Sequence, residues 1–309
     1  MSLYLPIAHI PINLALLLGM GLAIGILSGM FGVGGGFIMT PLLMFLGVPP
    51  AVAVGTGASQ VVAASVSGVQ AQWYRGNVDV KMGAFLIAGG IAGVILGIKI
   101  QQLLKALGQL DLFISLTYVV MLGVIGGLML IESLRALRKA KVSPTSSTRR
   151  AGQHTWAERL PFKQRFVASK LYVSAIPPLV IGSFVGLLTA IMGIGGGFVL
   201  IPALIYMLRM PTRTALGTSG FQIIFVTAFA TILQATQNHS VDLLLAVPLM
   251  VGGVIGAQFG VQIGQRMGAE QLRALLAILV LAVALRMSFD LVAPPSDRYN
   301  LEVVTGTSG

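Results

Sequence analysis

Cysteine is absent from all 309 residues, which excludes a disulfide framework, a thiolate nucleophile and a cysteine-based metal site. Charge is scarce: Asp, Glu, Lys and Arg make up 9% of the chain, against roughly a quarter in an ordinary soluble domain. Histidine occurs three times, as His9, His154 and His239, and none has a second His three or four residues away. No metal and no other cofactor is therefore expected, nor is a histidine-based proton relay. No Lys or Arg precedes the first apolar run, so the first span is read as a permanent part of the fold rather than a cleaved signal.

Hydrophobic residues fill the space that charge leaves, at 56% of the chain. Apolar stretches long enough to cross a hydrocarbon core about 30 Å thick recur from end to end, whereas barrel strands would be about ten residues long and alternating. The expected fold class is an all-α, polytopic transmembrane bundle. Apolar segments fall at about 12–31, 36–47, 52–73, 82–104 and 111–131, then 173–192, 197–208, 215–237, 243–265 and 272–292. This divides the chain into a first membrane repeat (1–131), a basic cytoplasmic linker (132–170), a second repeat (171–292) and a C-terminal tail (293–309). Within the linker, alternating apolar and basic residues from His154 to Lys170 suggest an amphipathic helix on the membrane surface.

The net charge of +11 is concentrated in residues 132–170, which hold ten of the twenty Lys and Arg and two acids. That placement matches the positive-inside bias of a cytoplasmic loop, so nucleic acid is not an expected partner. With this loop inside, Arg75 and Lys81, Arg209 and Arg213, and Arg266 and Arg273 also fall inside. The short Lys105 to Asp111 connection alone goes against the bias. Each half then crosses an odd number of times, and the two halves are expected to be inverted relative to each other.

The halves are copies. Gly32-Val33-Gly34-Gly35-Gly36-Phe37 returns as Gly193-Ile194-Gly195-Gly196-Gly197-Phe198. The match extends through Pro41 and Pro202, Gly55-Thr56 and Gly217-Thr218, Gln60 and Gln222, and Val78-Asp79 and Val241-Asp242 to Gly89-Gly90 and Gly252-Gly253. After each glycine cluster the apolar segment is only about a dozen residues long, too short to span at 1.5 Å per residue. Each cluster is read as the break of a bent or re-entrant helix pair.

A half-helix starting at glycines presents unpaired backbone N–H groups and the positive end of its dipole, and without Cβ atoms an oxyanion can approach closely. Gly34, Gly35, Gly36, Gly195, Gly196 and Gly197 are thus candidate substrate-binding residues, with close helix packing as the alternative. Thr56 and Gln60, like Thr218 and Gln222, share one helix face and are candidates for the same site, with interhelical hydrogen bonding as the alternative. Ser59, Ser65, Ser67, Gln70, Thr227, Thr231 and Gln234 are read as packing residues, as are Gly89, Gly90, Gly93 and Gly97, so that Gly93→Ala is expected to be mild. Asp79 and Asp242 are expected to cap the helices that follow them.

Enzymatic readings fail on context. The glycine clusters lack the Gly-Lys-Ser/Thr ending of a phosphate loop. Gly217-Thr218-Ser219-Gly220 fits the pattern of rhomboid-type intramembrane serine proteases, but the later spans contain no His to serve as base.

Two Gly-x-Gly-Gly-Gly-Phe clusters, each followed by a proline and a Gly-Thr helix start, resemble the sulfite exporter TauE/SafE family, also called the four-toluene sulfonate uptake permease family. The resemblance covers all but the linker and the tail. It implies a multi-pass permease of the bacterial inner membrane that moves a small sulfur oxyanion such as sulfite or an organosulfonate by alternating access, typically outward. The implied partners are that small anionic substrate and membrane lipid. A carrier for another small organic acid or neutral solute, or an anion channel, is the alternative. Oligomeric state, coupling ion and transport direction are not encoded in any motif.

Overall fold

The computed structural model describes residues 2–4, 7, 11–31, 34–140, 163–166, 168–169, 171–266 and 269–292. Strands β1 (Ser2–Tyr4) and β2 (Pro11–Asn13) pair antiparallel ahead of α1 (Leu14–Phe31), α2 (Gly36–Phe45), α3 (Pro50–Tyr74), α4 (Val80–Ala106) and α5 (Leu110–Ala140). Strands β3 (Lys163–Phe166) and β4 (Leu171–Ser174) likewise precede α6 (Ile176–Met192), α7 (Gly197–Tyr206), α8 (Thr212–Leu233), a π-helical turn (Gln234–Asn238), α9 (Leu243–Arg266) and α10 (Ala269–Val292). Among the described residues, six helices are long and apolar enough to cross a membrane. The protein is a polytopic helical membrane protein, and the periodless apolar runs of its sequence become helices because lipid leaves backbone groups no other partner.

Two expectations change. Residues 163–166 of the proposed amphipathic helix form a strand paired with Leu171–Ser174, where Phe166 is fully buried against Phe85. Lys163-Gln164-Arg165-Phe166 holds one apolar residue in four, too short a run to fix a period, and pairing with β4 decides it. Helix α5 also runs nine residues past the apolar boundary at 131, through Ala140. Residues 141–162 of the linker, the tail 293–309, His9 and His154, and Gly32 and Val33 lie outside the described residues.

The helices pack across the halves. Gly21, Gly25 and Gly29 of α1 lie on Leu249, Gly253 and Ala257 of α9, rising together in steps of four, so α1 and α9 run parallel. Gly182 and Gly186 of α6 lie in the same way on Leu86 and Gly90 of α4. A side chain at these places would strike backbone, which is how stripes of small residues bring apolar helices together without a hydrophobic driving force.

Helices α3 and α8 cross at the centre, antiparallel. Gly55, near the start of α3, meets the carbonyl of Ser240 beyond the end of α8, and Gly217, near the start of α8, meets that of Asn77 beyond the end of α3. Helix α9 runs along α3 in the same direction, since Asp242 N–H donates to Thr56 Oγ1 at 3.1 Å and Gly253 lies on Gln60 further along. Helix α2 opposes α3, with Gly36 against Val61 and Gly57 against Thr40. Because α1 shares the direction of α9 and α3 while α2 opposes it, the chain reverses at Gly34 and Gly35.

Candidate functional site

Both reversals use left-handed glycines: Gly34 and Gly35 have φ of 87° and 69°, and Gly195 and Gly196 have 74° and 70°. Side chains other than glycine rarely adopt that conformation, so the residue type is dictated by the turn. The first backbone donors of α2, Ile38 and Met39, reach Gly35 O, and those of α7, Val199 and Leu200, reach Gly196 O. The amides of Gly36, Phe37, Gly197 and Phe198 precede any intrahelical donor and lie at buried positions. On the acceptor side, the carbonyl of Met192 at the end of α6 takes a hydrogen bond from Tyr118 and one of 3.4 Å from Thr40.

The two breaks meet. A Cβ on Gly36 would lie 2.9 Å from Gly193 O, and one on Gly195 would lie 2.7 Å from Val61 Cγ1 and 2.9 Å from Ile223 Cγ2. Val61 and Ile223 lie within one residue of the midpoints of α3 and α8, so the glycines sit at the middle of the bundle. Two hydroxyls read from sequence as packing groups stand beside them. Ser65 Oγ is 3.5 Å from the Cβ position of Gly34, and Thr227 Oγ1 is 3.1 Å from that of Gly195. Both are buried without a hydrogen-bond partner among the described residues. Their matched spacing from Gln60 and Gln222 was the signal available in sequence.

Gln60 and Gln222 are fully buried, and neither the amide nitrogen nor the amide oxygen of either one has a partner among the described residues. They flank the centre from opposite halves: Gln60 lies on Gly253 of α9 and Gln222 on Gly90 of α4. Four buried polar atoms left unpaired in so apolar a setting are expensive, each group costing about 1–3 kcal/mol. Thr56 and Thr218 hold a different place. Thr218 Oγ1 accepts Asp79 N–H at 3.0 Å, as Thr56 Oγ1 accepts that of Asp242, so each threonine ties its helix to the start of a helix in the other half.

Both aspartates cap helices. Asp79 Oδ1 accepts from Met82 N–H at 3.0 Å, and its Oδ2 accepts from the backbone and hydroxyl of Ser169 at 2.9 and 2.6 Å. Asp242 Oδ1 accepts from Leu244 and Leu245, and its Oδ2 from Ile7 N–H at 3.1 Å. Each carboxylate thus fixes the turn that introduces the opposite half.

Access to the centre differs on the two faces. A cavity of about 140 Å³ runs from Gln72 and Arg75, at the end of α3, inward past Gly29, Ala64 and Gly68 to Ser65 and Gly34. The corresponding residues beside Gly195 are larger: Ala190 for Gly29, Val226 for Ala64 and Ala230 for Gly68, packed with Val94 and Ile98 into a closed cluster. Outside that cluster lies a lattice of amides. Gln234 Nε2 donates to Gln101 Oε1 (2.8 Å) and Ala190 O (3.0 Å), Gln101 Nε2 donates to Ala190 O (3.0 Å), and Asn238 Nδ2 bridges Gln101 Oε1 and Gln234 Oε1 (2.9 and 2.8 Å). The π-helical turn brings Gln234 and Asn238 onto one side for this purpose. On the cavity side the counterparts of Gln101 and Asn238 are Gly264 and Gly76, so no such lattice forms.

Comparison with known proteins points one way. The family model described as "Sulfite exporter TauE/SafE" matches residues 17–287. A "Probable membrane transporter protein" of Xylella fastidiosa (strain 9a5c) is 30% identical over 88% of this chain and 94% of that protein. The "Probable membrane transporter protein YunE" of Bacillus subtilis (strain 168) is 25% identical over 90% of this chain and 98% of its own length. A shorter stretch, 30% of this chain, is 32% identical to 20% of the "Sulfite exporter TauE/SafE family protein 3" of Arabidopsis thaliana. No solved structure gives a significant match.

Proposed function

Since the chain belongs to the sulfite exporter TauE/SafE family of membrane transporters, we propose that it is a permease exporting a small sulfur oxyanion, sulfite or an organosulfonate, across the bacterial inner membrane by alternating access. The observation that carries this reading is the meeting of two glycine reversals at mid-bundle. There, helix-start amides with no intrahelical acceptor stand with the partnerless polar groups of Gln60, Gln222, Ser65 and Thr227, and among the described residues only Asn238 Oδ1 is another buried side-chain polar atom without a partner. Donors and positive dipole ends without a cation bind an anion while leaving it free to depart.

Alternating access draws support from the arrangement of the halves. Equivalent helices α3 and α8 run in opposite directions, as an inverted repeat requires, and one path to the centre is open while its counterpart is packed shut. The positive-inside bias assigns the open path, ending at Arg75, to the cytoplasm, where an exporter collects its cargo. In this scheme Gly34, Gly35, Gly36, Gly195, Gly196 and Gly197 form the backbone of the site, Gln60 and Gln222 its side-chain donors, and Thr56 and Thr218 the hinges between halves.

A thermal-shift series with sulfite, sulfate, thiosulfate, taurine, sulfoacetate and acetate on purified protein tests binding without assuming direction. A ligand at one hundred times its Kd adds about 2.7 kcal/mol of stability. Stabilisation by sulfite or a sulfonate is expected, and stabilisation by acetate alone would replace the reading with an organic-acid carrier. Counterflow in vesicles separates a carrier from a channel, because only a carrier shows exchange stimulation.

A further inference from the structure

We infer that the site selects singly charged oxyanions over doubly charged ones, with the hydroxyls of Ser65 and Thr227 among its ligands. This rests on the anion-permease reading and sharpens its substrate class. The first observation is charge. Residues 10–74 contain no Asp, Glu, Lys, Arg or His, and neither do 171–208, 214–238 or 243–264, so every helix segment that builds the centre is neutral. Around it, Arg75 stands exposed at the cavity mouth, Asp79 and Asp242 are committed to helix caps, and Lys99 and Lys105 are exposed on α4. The caps and the exposed places on α4 keep those four charges off an ion at Gly34 and Gly195, and Arg75, which shares the cavity, follows Ser65 by ten positions, about 15 Å of helix. The desolvation penalty of an ion rises with the square of its charge, and neutral dipoles repay it for one charge far better than for two.

The second observation is the kind of polar group left unpaired. A site for a fully deprotonated dianion needs donors only. Here the amide oxygens of Gln60 and Gln222 are unpaired as well as the nitrogens, and the hydroxyls of Ser65 and Thr227 both donate and accept. An oxyanion that keeps a proton, as hydrogensulfite does, satisfies acceptors that sulfite dianion or sulfate leaves empty. Ser65 is 7% exposed and Thr227 0%, so water does not substitute freely for such a ligand.

Methanesulfonate and sulfate test the charge directly, since they differ by one methyl in place of one oxygen and by one unit of charge. Methanesulfonate is expected to stabilise the purified protein with a Kd at least about tenfold below that of sulfate. Apparent sulfite affinity should rise as pH falls in step with the hydrogensulfite fraction, while that of methanesulfonate stays level. Sulfate binding as tightly as methanesulfonate would overturn the charge selection and leave the anion-permease reading intact. Absence of stabilisation by every sulfur oxyanion would overturn both. For the hydroxyls, Ser65→Ala and Thr227→Val should each weaken methanesulfonate roughly 3–10-fold without lowering the melting temperature of the free protein, because neither hydroxyl has a partner to lose. Thr227→Ser should retain the affinity. Parental affinity in Ser65→Ala and Thr227→Val would remove the hydroxyls from the site.

Discussion

At the scale of single residues, the glutamines and threonines of the two halves separate by what their polar atoms touch. Gln60 and Gln222 have no partner, whereas Thr56 and Thr218 each hold a backbone amide across the halves. Replacing Gln60 or Gln222 by Glu places an anion where donors stood, in surroundings that screen poorly. Each Glu variant should weaken methanesulfonate binding at neutral pH more than the matching Ala variant, by at least about tenfold relative to the parent. Calorimetric titration checks this, and equal affinities for Glu and Ala would discount charge repulsion. Thr56→Val and Thr218→Val instead remove a buried cross-half hydrogen bond. They should lower stability by about 1 kcal/mol each with ligand affinity little changed, as read from melting curves with and without methanesulfonate.

Glycine has two distinct uses at this scale. Gly35 and Gly196 are required by positive φ, so Gly35→Ala and Gly196→Ala should each destabilise by about 1–2 kcal/mol from conformation alone. Gly93 is required by contact. A Cβ there would be driven into the carbonyl oxygen of Ser183 on α6, so Gly93→Ala is not the mild change that sequence suggests. Thermal melts should rank Gly93→Ala with Gly196→Ala, well below Gly68→Ala, whose Cβ meets open space.

Among the elements, the unequal linings of the two access paths matter most. Every replacement of Gly or Ala on the cavity side by Ala or Val on the other adds volume, and Gln101 and Asn238 add hydrogen bonds that Gly264 and Gly76 do not. Under the proposed alternating access, this bias would favour the state open toward Arg75 in the absence of ligand. Loosening the amide lattice should shift the balance. In an Ala230→Cys background, adding Gln101→Ala is expected to raise the rate of labelling by an impermeant thiol reagent from the face opposite Arg75 about tenfold. An unchanged rate would mean that the apolar cluster of Val94, Ile98, Ala190, Val226 and Ala230 closes the path alone.

For the whole molecule, the opposed directions of α3 and α8 place the α2–α3 and α8–α9 turns on one face and the α7–α8 turn on the other. The cysteine-free chain suits labelling, and exposed reporters are available at Pro49, Gln237 and Arg213. Pro49→Cys and Gln237→Cys should react with an impermeant reagent from outside intact cells, and Arg213→Cys only after permeabilisation. Asn238 is unsuited as a reporter because the lattice buries it. Opposite behaviour of Pro49→Cys and Gln237→Cys would refute the inverted arrangement.

The sequence alone determined the membrane class, the duplication, the ten helical segments to within a few residues except at the end of α5, and the need for a break at each glycine cluster. Hydropathy and glycine conformation are local properties, and lipid removes the competing backbone solutions. Tertiary structure decided what depends on which atoms meet. Lys163-Gln164-Arg165-Phe166 suits either a strand or a turn of helix until β4 pairs with it. Two hydroxyls at ordinary packing positions stand unpaired beside Gly34 and Gly195 only because α3 and α8 cross there. Gln101, Gln234 and Asn238 form one lattice although more than 130 positions separate the first from the other two. Partners that distant in sequence are assigned by packing, and no local pattern carries that information.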